Sequence, residues 1–284
     1  MLSTTLERRF EQRLAELATQ WRGQTPPPLS MAAAAVVWAL EADREITDIP
    51  KQLDALADEL SAWAIGEGLP QPLSIEAVSR GFVALGFRGE TDNYYDPRNS
   101  FLAEVITRRV GIPITLSVIF IELAQRFGLT CEGVNFPGHF LVRYRGADGV
   151  GHLDPFHGCQ WLDDRGLQQL LHRVRGTQSR LSAEDLATAG TGDIVARMLR
   201  NLCNIALKAK DWITALRTLR MLVIVNPDDA QAGRDIGLLY LQLERWGEAL
   251  TWLESHKRRV ASDAERQSLE PSIIEAKKAL AQWN

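Results

Sequence analysis

The sequence predicts an α+β fold that is mainly helical, with a small antiparallel sheet near the middle and an all-α region at the end. Three observations predict this fold. Apolar residues recur every three or four positions over much of the 284-residue chain, which is the period of an amphipathic helix. Three short strand-like runs follow a strongly apolar helix, and a pattern with a 34-residue spacing marks the last third. We therefore expect a first domain over residues 1–190 and a helical second domain over residues 191–284.

Four helices with short linkers are predicted in the first third of the chain. They cover about residues 5–22, 30–43, 50–67 and 74–86. Prolines directly after Thr25 break the first helix, and Ser30 and Ser74 are suitable N-caps for the second and fourth. A polar loop over residues 88–98 then precedes a helix from Phe101 to Val110. We expect Asn99 or Ser100 to cap that helix, with Glu104 at the capping-box position.

The central stretch combines a buried helix with three strands. Proline suits the first helical turn, so Pro113 predicts the start of the helix, and Gly128 predicts its end. The residues between them are mostly apolar around the whole circumference, which indicates burial on several sides. Strands are predicted around residues 130–136 and 139–144, followed by a third that ends at Asp154. His139 and Asp154 would therefore lie on one small antiparallel sheet.

The last third carries an internal repeat. Asp211-Trp212, Ala215-Leu216 and Leu219 recur 34 residues later as Arg245-Trp246, Ala249-Leu250 and Leu253. Gly237 and Tyr240 occupy the small and aromatic positions of the preceding helix in the second copy. This period and these positions resemble the tetratricopeptide repeat, and a final helix over about residues 263–283 would cover the last apolar face. The alternative interpretation is an unrelated helical bundle.

Composition and charge narrow the class of protein. The net charge of -4 gives no basic field for nucleic acid, and no apolar run reaches the ~20 residues that a membrane span needs. The three cysteines are widely spaced and odd in number, which argues against a disulfide framework. The amino terminus has no signal-peptide pattern. These features predict a cytoplasmic protein with neither a membrane nor a nucleic acid as partner.

Several phrases, taken in order, resemble the SirB family. They are Tyr95-Asp96-Pro97 with Asn99-Ser100-Phe101-Leu102, Arg109-Val-Gly-Ile-Pro-Ile-Thr-Leu-Ser117, and Phe136-Pro-Gly-His-Phe-Leu-Val142. Members of that family are bacterial proteins with a transglutaminase-like domain followed by tetratricopeptide-type helices. The resemblance implies a papain-type arrangement, in which a cysteine opens a buried helix, a histidine acts as base and an acid orients the histidine.

The resemblance transfers two of the three catalytic positions to this sequence. His139 stands at the position of the histidine, and Asp154, followed by proline, stands at the position of the acid. The position of the cysteine falls on Pro113, which has no nucleophile. An alignment offset would bring Thr115 to the site, but a hydroxyl is much less reactive than a thiol with the same partners.

Three functional hypotheses follow. The first is a pseudoenzyme, a non-catalytic transglutaminase-like protein without cofactor, whose C-terminal repeats bind a protein or peptide in a protein-binding or regulatory role. The second is a residual hydrolase or acyl transferase that uses His139 and Asp154 with the hydroxyl of Thr115 or with water. The third is a metal site, for which the candidate ligands are His139, His152, Asp154 and His157.

Overall fold

The computed structural model describes residues 4–23, 25–147 and 149–283. The chain is mostly helical with a small antiparallel sheet, as predicted. Two compact units form. The mixed unit consists of Pro26–Val37 and Arg44–Met198, and the helical unit consists of the described parts of Met1–Thr25, Trp38–Asp43 and Leu199–Asn284. None of the helices in the described ranges combines the length and apolarity that a membrane span requires.

Twelve α-helices occur in the described residues. They are α1 (Thr4–Trp21), α2 (Leu29–Ala34), α3 (Ile49–Gly66), α4 (Ile75–Ala84), α5 (Leu102–Arg108), α6 (Pro113–Arg126), α7 (Asp164–Arg175), α8 (Thr191–Lys208), α9 (Trp212–Val225), α10 (Ala232–Gln242), α11 (Trp246–Arg259) and α12 (Asp263–Trp283). Short 3-10 helices cover Ala35–Ala39, Pro97–Ser100, Pro155–His157 and Glu184–Leu186.

The strands of the mixed unit form one five-stranded sheet and one short pair. The strands are β1 (Arg88–Gly89), β2 (Val110–Gly111), β3 (Thr130–Val134), β4 (Leu141–Gly146), β5 (Gly149–Asp154), β6 (Gln160–Leu162) and β7 (Thr188–Ala189). The sheet has the order β6-β5-β4-β3-β7 with antiparallel neighbours, whereas β1 and β2 pair in parallel. The three strands predicted from the central stretch are confirmed as β3, β4 and β5.

The centre of the mixed unit is α6. Every residue from Pro113 to Ala124 is buried, and α6 packs against β3, β4 and helices α2, α3, α4 and α5. The buried carboxylate of Glu122 accepts a hydrogen bond from the backbone N–H of Ser30 at 2.8 Å and one from Arg126 Nη1 at 3.0 Å. These bonds hold the first turn of α2 against α6, which is how a nearly all-apolar helix tolerates an acid inside the core.

Two predictions about helix ends were wrong. The second helix ends as an α-helix at Ala34 and continues only as the 3-10 helix to Ala39. Neither Asn99 nor Ser100 caps α5, whose N-cap is Phe101. Both residues belong instead to the 3-10 helix that Asp96 caps by accepting from the backbone N–H of Arg98 at 2.9 Å.

The repeated pattern of the sequence corresponds to packed helix pairs in the helical unit. Helix α10 packs on α11, α11 packs on α12, and α9 packs on α10. Leu269 and Ile273 of α12 form one apolar cluster with Leu253 of α11, so the predicted covering role of the last helix is confirmed. The absence of a side chain on Gly237 brings α10 close to Leu253.

The helical unit also contains α1, which packs against α9. Arg220 donates to both carboxylate oxygens of Glu11 at 2.6 and 2.9 Å, and Arg217 donates to Glu7 at 3.0 Å. Both guanidinium groups lie over the ring of Phe10, at 5.0 and 5.6 Å. The apolar stripe of α1 predicted a packed helix without indicating its neighbour. The domain division at residue 190 stays a prediction.

Gly237→Ala is expected to destabilise the helical unit. An added Cβ would lie 2.7 Å from the side chain of Leu253 and 3.3 Å from its backbone nitrogen, so α10 and α11 would have to separate. We expect the free energy of unfolding to fall by about 1–3 kcal/mol. Urea unfolding followed by circular dichroism measures the change.

Gly247→Ala is the matched control for this substitution. Gly247 lies in α11, and a Cβ at this position meets no heavy atom within 4 Å. Replacing an open helical glycine by alanine stabilises a helix by up to about 1 kcal/mol. Equal effects of the two substitutions on unfolding would contradict the close contact between α10 and α11.

Candidate functional site

The candidate site is organised around the carboxylate of Asp154. This residue is the last of β5, and its side chain is 3% exposed. Oδ1 accepts hydrogen bonds from the backbone N–H groups of Phe156 at 3.1 Å and His157 at 3.3 Å, which caps the 3-10 helix beginning at Pro155. The second oxygen, Oδ2, is therefore turned toward side-chain partners in a fixed orientation.

The first partner of Oδ2 is His139. Its Nε2 lies 2.8 Å from Oδ2, and the histidine is 8% exposed. The structure places His139 in the turn just before β4, so the prediction that it lies on the strand itself was wrong. Gly138, with a φ of 64°, supplies the left-handed conformation of this turn. Among the described residues, Nδ1 of His139 has no hydrogen-bond partner.

The second partner of Oδ2 is His157. Its Nδ1 lies 2.7 Å from the same oxygen, while 46% of its side chain is exposed. The rings of His139 and His157 stack with centroids 5.6 Å apart and planes 28° apart. The ring of Phe156 meets both imidazoles edge-on, at 5.9 and 5.0 Å. The three polar side chains form a compact group, in which the facing nitrogen and oxygen atoms all lie within 4.8 Å of one another.

The charge state of Asp154 follows from two opposing effects on its pKa. Burial raises the pKa of the carboxyl group, whereas the hydrogen bonds and charges of His139 and His157 lower it. The net pKa is below the ordinary value for aspartic acid, so the group is a carboxylate at neutral pH. A carboxylate only accepts hydrogen bonds, and both imidazoles therefore donate to it.

The two candidate residues at the start of α6 are both buried. Pro113 is buried and is the first residue of the helix. Thr115 is fully buried, and its Oγ1 donates to the carbonyl oxygen of Asn99 at 2.8 Å and accepts from the backbone N–H of Ile112 at 3.2 Å. No hydrogen bond within the described ranges joins Thr115 to His139. The hydroxyl of Thr115 thus binds backbone groups at the start of α6.

The three cysteines lie elsewhere and are buried. Burial raises the pKa of Cys131 to about 12 and that of Cys203 to about 11. Burial, together with the charge of Asp154, also raises the pKa of Cys159. A thiol must ionise to act as a nucleophile, so these environments disfavour reactivity.

His152 lies outside the group around Asp154, and the four-residue metal hypothesis was wrong in this respect. It pairs with Arg143 and Leu162 within the sheet, and its Nε2 is buried without a hydrogen-bond partner in the described residues. Among the described residues, the group of ligand atoms that lie within 4.8 Å of one another comes from His139, Asp154 and His157, without His152. His157 reaches Asp154 because the 3-10 helix folds it back.

Arg197 of α8 is a neighbour of the site that the sequence did not indicate. Its Nη1 donates to the carbonyl oxygen of Phe136 at 2.9 Å, and the backbone N–H of His139 donates to the same oxygen at 3.1 Å. Nη1 also donates to Asn135, and the guanidinium lies 5.7 Å from the centroid of the Phe140 ring. Arg197 thus braces the turn that carries His139. No local pattern signals this contact, because the partners are about 60 positions apart.

Comparison with known sequences gives the family. The profile of the transglutaminase-like superfamily matches residues 47–200, and that of the tetratricopeptide repeat matches residues 202–269. A UPF0162 protein of Xylella fastidiosa, strain Temecula1, is 38% identical over 218 residues, which is 75% of each chain. The chain belongs to the UPF0162 family of transglutaminase-like proteins. This result confirms both parts of the predicted architecture, under the family name UPF0162 in place of SirB.

Proteins related to this UPF0162 family member also occur in other genera. The UPF0162 protein of Pseudomonas aeruginosa is 33% identical over 202 residues, covering 71% of this chain and 70% of the relative. F-box only protein 21 of Mus musculus is 27% identical over 58% of this chain and 27% of its own length. No solved structure gives a significant match.

The cysteine environments predict low thiol reactivity in the folded protein. At pH 8 we expect a disulfide reagent such as DTNB to modify the folded chain at less than about a hundredth of the rate for the unfolded chain, because the thiolate fractions differ by that order. In guanidinium chloride, three thiols per chain should react. A thiol that reacted faster in the folded state than in the unfolded state would contradict the structure.

Proposed function

We propose that this chain is a transglutaminase-like protein without thiol catalysis, whose C-terminal helices bind a protein or peptide partner in a protein-binding or regulatory role. The observation that carries the proposal is Pro113 at the start of α6, where the family resemblance requires the nucleophilic cysteine. The burial and raised pKa values of the three cysteines support it, since none is poised to replace that nucleophile. The unpaired thiols also support a cytoplasmic location.

A residual enzyme is the second candidate, and one observation favours it. The pair of His139 and Asp154 is held at 2.8 Å, and Nδ1 of His139 has no partner in the described residues, so a water molecule next to Nδ1 would meet a general base. The hydroxyl of Thr115 is a poorer nucleophile candidate. Turning it toward His139 would break two buried hydrogen bonds, each worth about 1 kcal/mol, and leave their partners unsatisfied.

Activity assays separate these two candidates. The full chain is assayed for amide hydrolysis and for amine incorporation into a glutamine-containing protein, beside His139→Ala and the control His172→Ala. We expect all three proteins to show the same background rate, because the site supplies no nucleophile. A wild-type rate that His172→Ala keeps and His139→Ala loses would establish the residual enzyme and overturn the non-catalytic proposal.

The binding part of the proposal rests on a groove in the helical unit. The groove has a volume of about 400 Å³ and is lined by residues of α8, α9 and α10. Its apolar lining includes Trp212 and the exposed side chains of Leu207 and Leu238, which are 38% and 40% accessible. Apolar side chains that remain exposed beside a groove are typical of a docking surface for another chain.

The polar groups of the groove favour a peptide of low charge. Arg200 and Asp235 form ion pairs with Asp229 and Arg234, which compensates their charges within the unit. The carboxamides of Asn204 and Gln242 both line the groove and are exposed. A carboxamide donates and accepts hydrogen bonds, as a peptide backbone does. The proposed partner segment therefore presents apolar side chains to the groove and backbone groups to its rim.

Leu238→Glu is expected to weaken partner binding. A charge in the apolar lining would have to be desolvated when a partner docks, so partner recovery in affinity capture should fall at least tenfold, equivalent to about 1.4 kcal/mol. Ile274→Glu is the control, since Ile274 is 47% exposed on the same unit but outside the groove. A partner recovered equally with both variants would place the binding surface elsewhere, and the absence of any partner would count against a binding role.

A further inference from the structure

We propose that His139, Asp154 and His157 form a binding site for a divalent transition metal of the Zn²⁺ class. The facing atoms are Nε2 of His139, Oδ2 of Asp154 and Nδ1 of His157, and they lie within 4.8 Å of one another. The inference goes beyond the proposed function, because it requires neither catalysis nor a partner protein. It also replaces the four-residue hypothesis by a three-residue site that excludes His152.

The ligand set has a clear chemical preference. Two imidazole nitrogens and one carboxylate oxygen form the donor set that proteins use for Zn²⁺ and Fe²⁺, with one or more positions left for water or another ligand. Hard cations such as Mg²⁺ and Ca²⁺ prefer sites built from oxygen alone. The donor set of this site therefore selects a borderline metal such as Zn²⁺.

The two imidazole nitrogens must move away from Oδ2 to accept the ion. Four-coordinate zinc with bonds of about 2.1 Å places its ligand atoms about 3.4 Å apart. The present separations of 2.8 and 2.7 Å between Oδ2 and the two nitrogens would increase by about 0.6 and about 0.7 Å. His157 is the half-exposed partner and lies on a three-residue turn, so its side chain has room to make this movement.

Neighbouring backbone groups orient the carboxylate of Asp154 for metal binding. The backbone N–H groups of Phe156 and His157 bind Oδ1 of Asp154, which leaves Oδ2 as the single ligand oxygen. In the free protein both imidazoles donate a hydrogen bond to Oδ2. Each facing nitrogen becomes a ligand when its proton is released or moves to the other ring nitrogen, and Nδ1 of His139 has no described partner that would oppose this change.

Burial defines one open side for the site. His139 and Asp154 are 8% and 2% exposed, whereas 46% of the His157 side chain faces solvent. An ion would thus enter beside His157, and its remaining coordination position would point toward the solvent. Because His157 is half exposed, its replacement by alanine removes a ligand without opening a cavity in the core.

Zinc binding to the full chain tests the inference. Protein freed of metal by a chelator is titrated with ZnCl₂ alone in a calorimeter, beside His157→Ala and the control His152→Ala, with folding checked by circular dichroism. We expect one Zn²⁺ per wild-type chain, at least tenfold weaker binding by His157→Ala, and binding by His152→Ala within threefold of wild type. Absorption bands of bound Co²⁺ should follow the same order.

Any of the following results would contradict the proposed metal site. Wild-type protein that binds no Zn²⁺, or binding that His157→Ala retains unchanged, would show that the three side chains are only a hydrogen-bonded group. Equal weakening by His152→Ala and His157→Ala would place the ion elsewhere on the chain. The titration involves neither a partner nor activity, so its failure is distinguishable from failure of the proposed function.

Discussion

The complete burial of α6 is the constraint on which the mixed unit depends. A helix buried from Pro113 to Ala124 has little contact with water, so its polar side chains depend on partners within the protein. Glu122 finds the backbone N–H of Ser30 together with Arg126, and Thr115 finds the carbonyl oxygen of Asn99. These bonds determine where α2 and the 3-10 helix before α5 meet the core. The neighbours of α6 are thus selected by its few polar atoms as much as by its apolar surface.

The sheet next to this helix places the acid and the two imidazoles. The pairing of Val142 in β4 with Leu153 in β5 brings the turn before β4 alongside the end of β5. His139 and Asp154 therefore meet through strand register, and the 3-10 helix after Asp154 returns His157 to the same oxygen. Backbone pairing holds the two strands, and the backbone N–H groups of Phe156 and His157 hold the turn to Oδ1 of Asp154. The start of α6, where the family resemblance expects a cysteine, carries Pro113.

Local sequence patterns predicted the helices and strands well. Contacts between residues far apart in the sequence were not predicted. Pro113 and Gly128 marked α6, and the 34-residue spacing marked the helix pairs, because caps, helix breakers and apolar periods act within a few residues. The meeting of His139 with Asp154 followed from the family resemblance. His157 at Oδ2, Arg197 beneath the turn and α1 beside α9 depend on the three-dimensional path of the chain. The cap of α5 was predicted wrongly because Asp96 caps a 3-10 helix that takes up Asn99 and Ser100.

The contact between α1 and α9 has a consequence for the order in which the protein folds. Glu7 and Glu11 meet Arg217 and Arg220 across sequence separations of 210 and 209 residues. On the ribosome, α1 can meet Trp38 and Ala42 through Arg13 early, whereas its ion pairs with α9 cannot form until α9 has been synthesised. The side of Phe10 that Arg217 and Arg220 cover in the folded chain therefore lacks these partners during that interval. The helical unit is thus completed only after α9 has been made, although it includes α1, which lies much earlier in the chain.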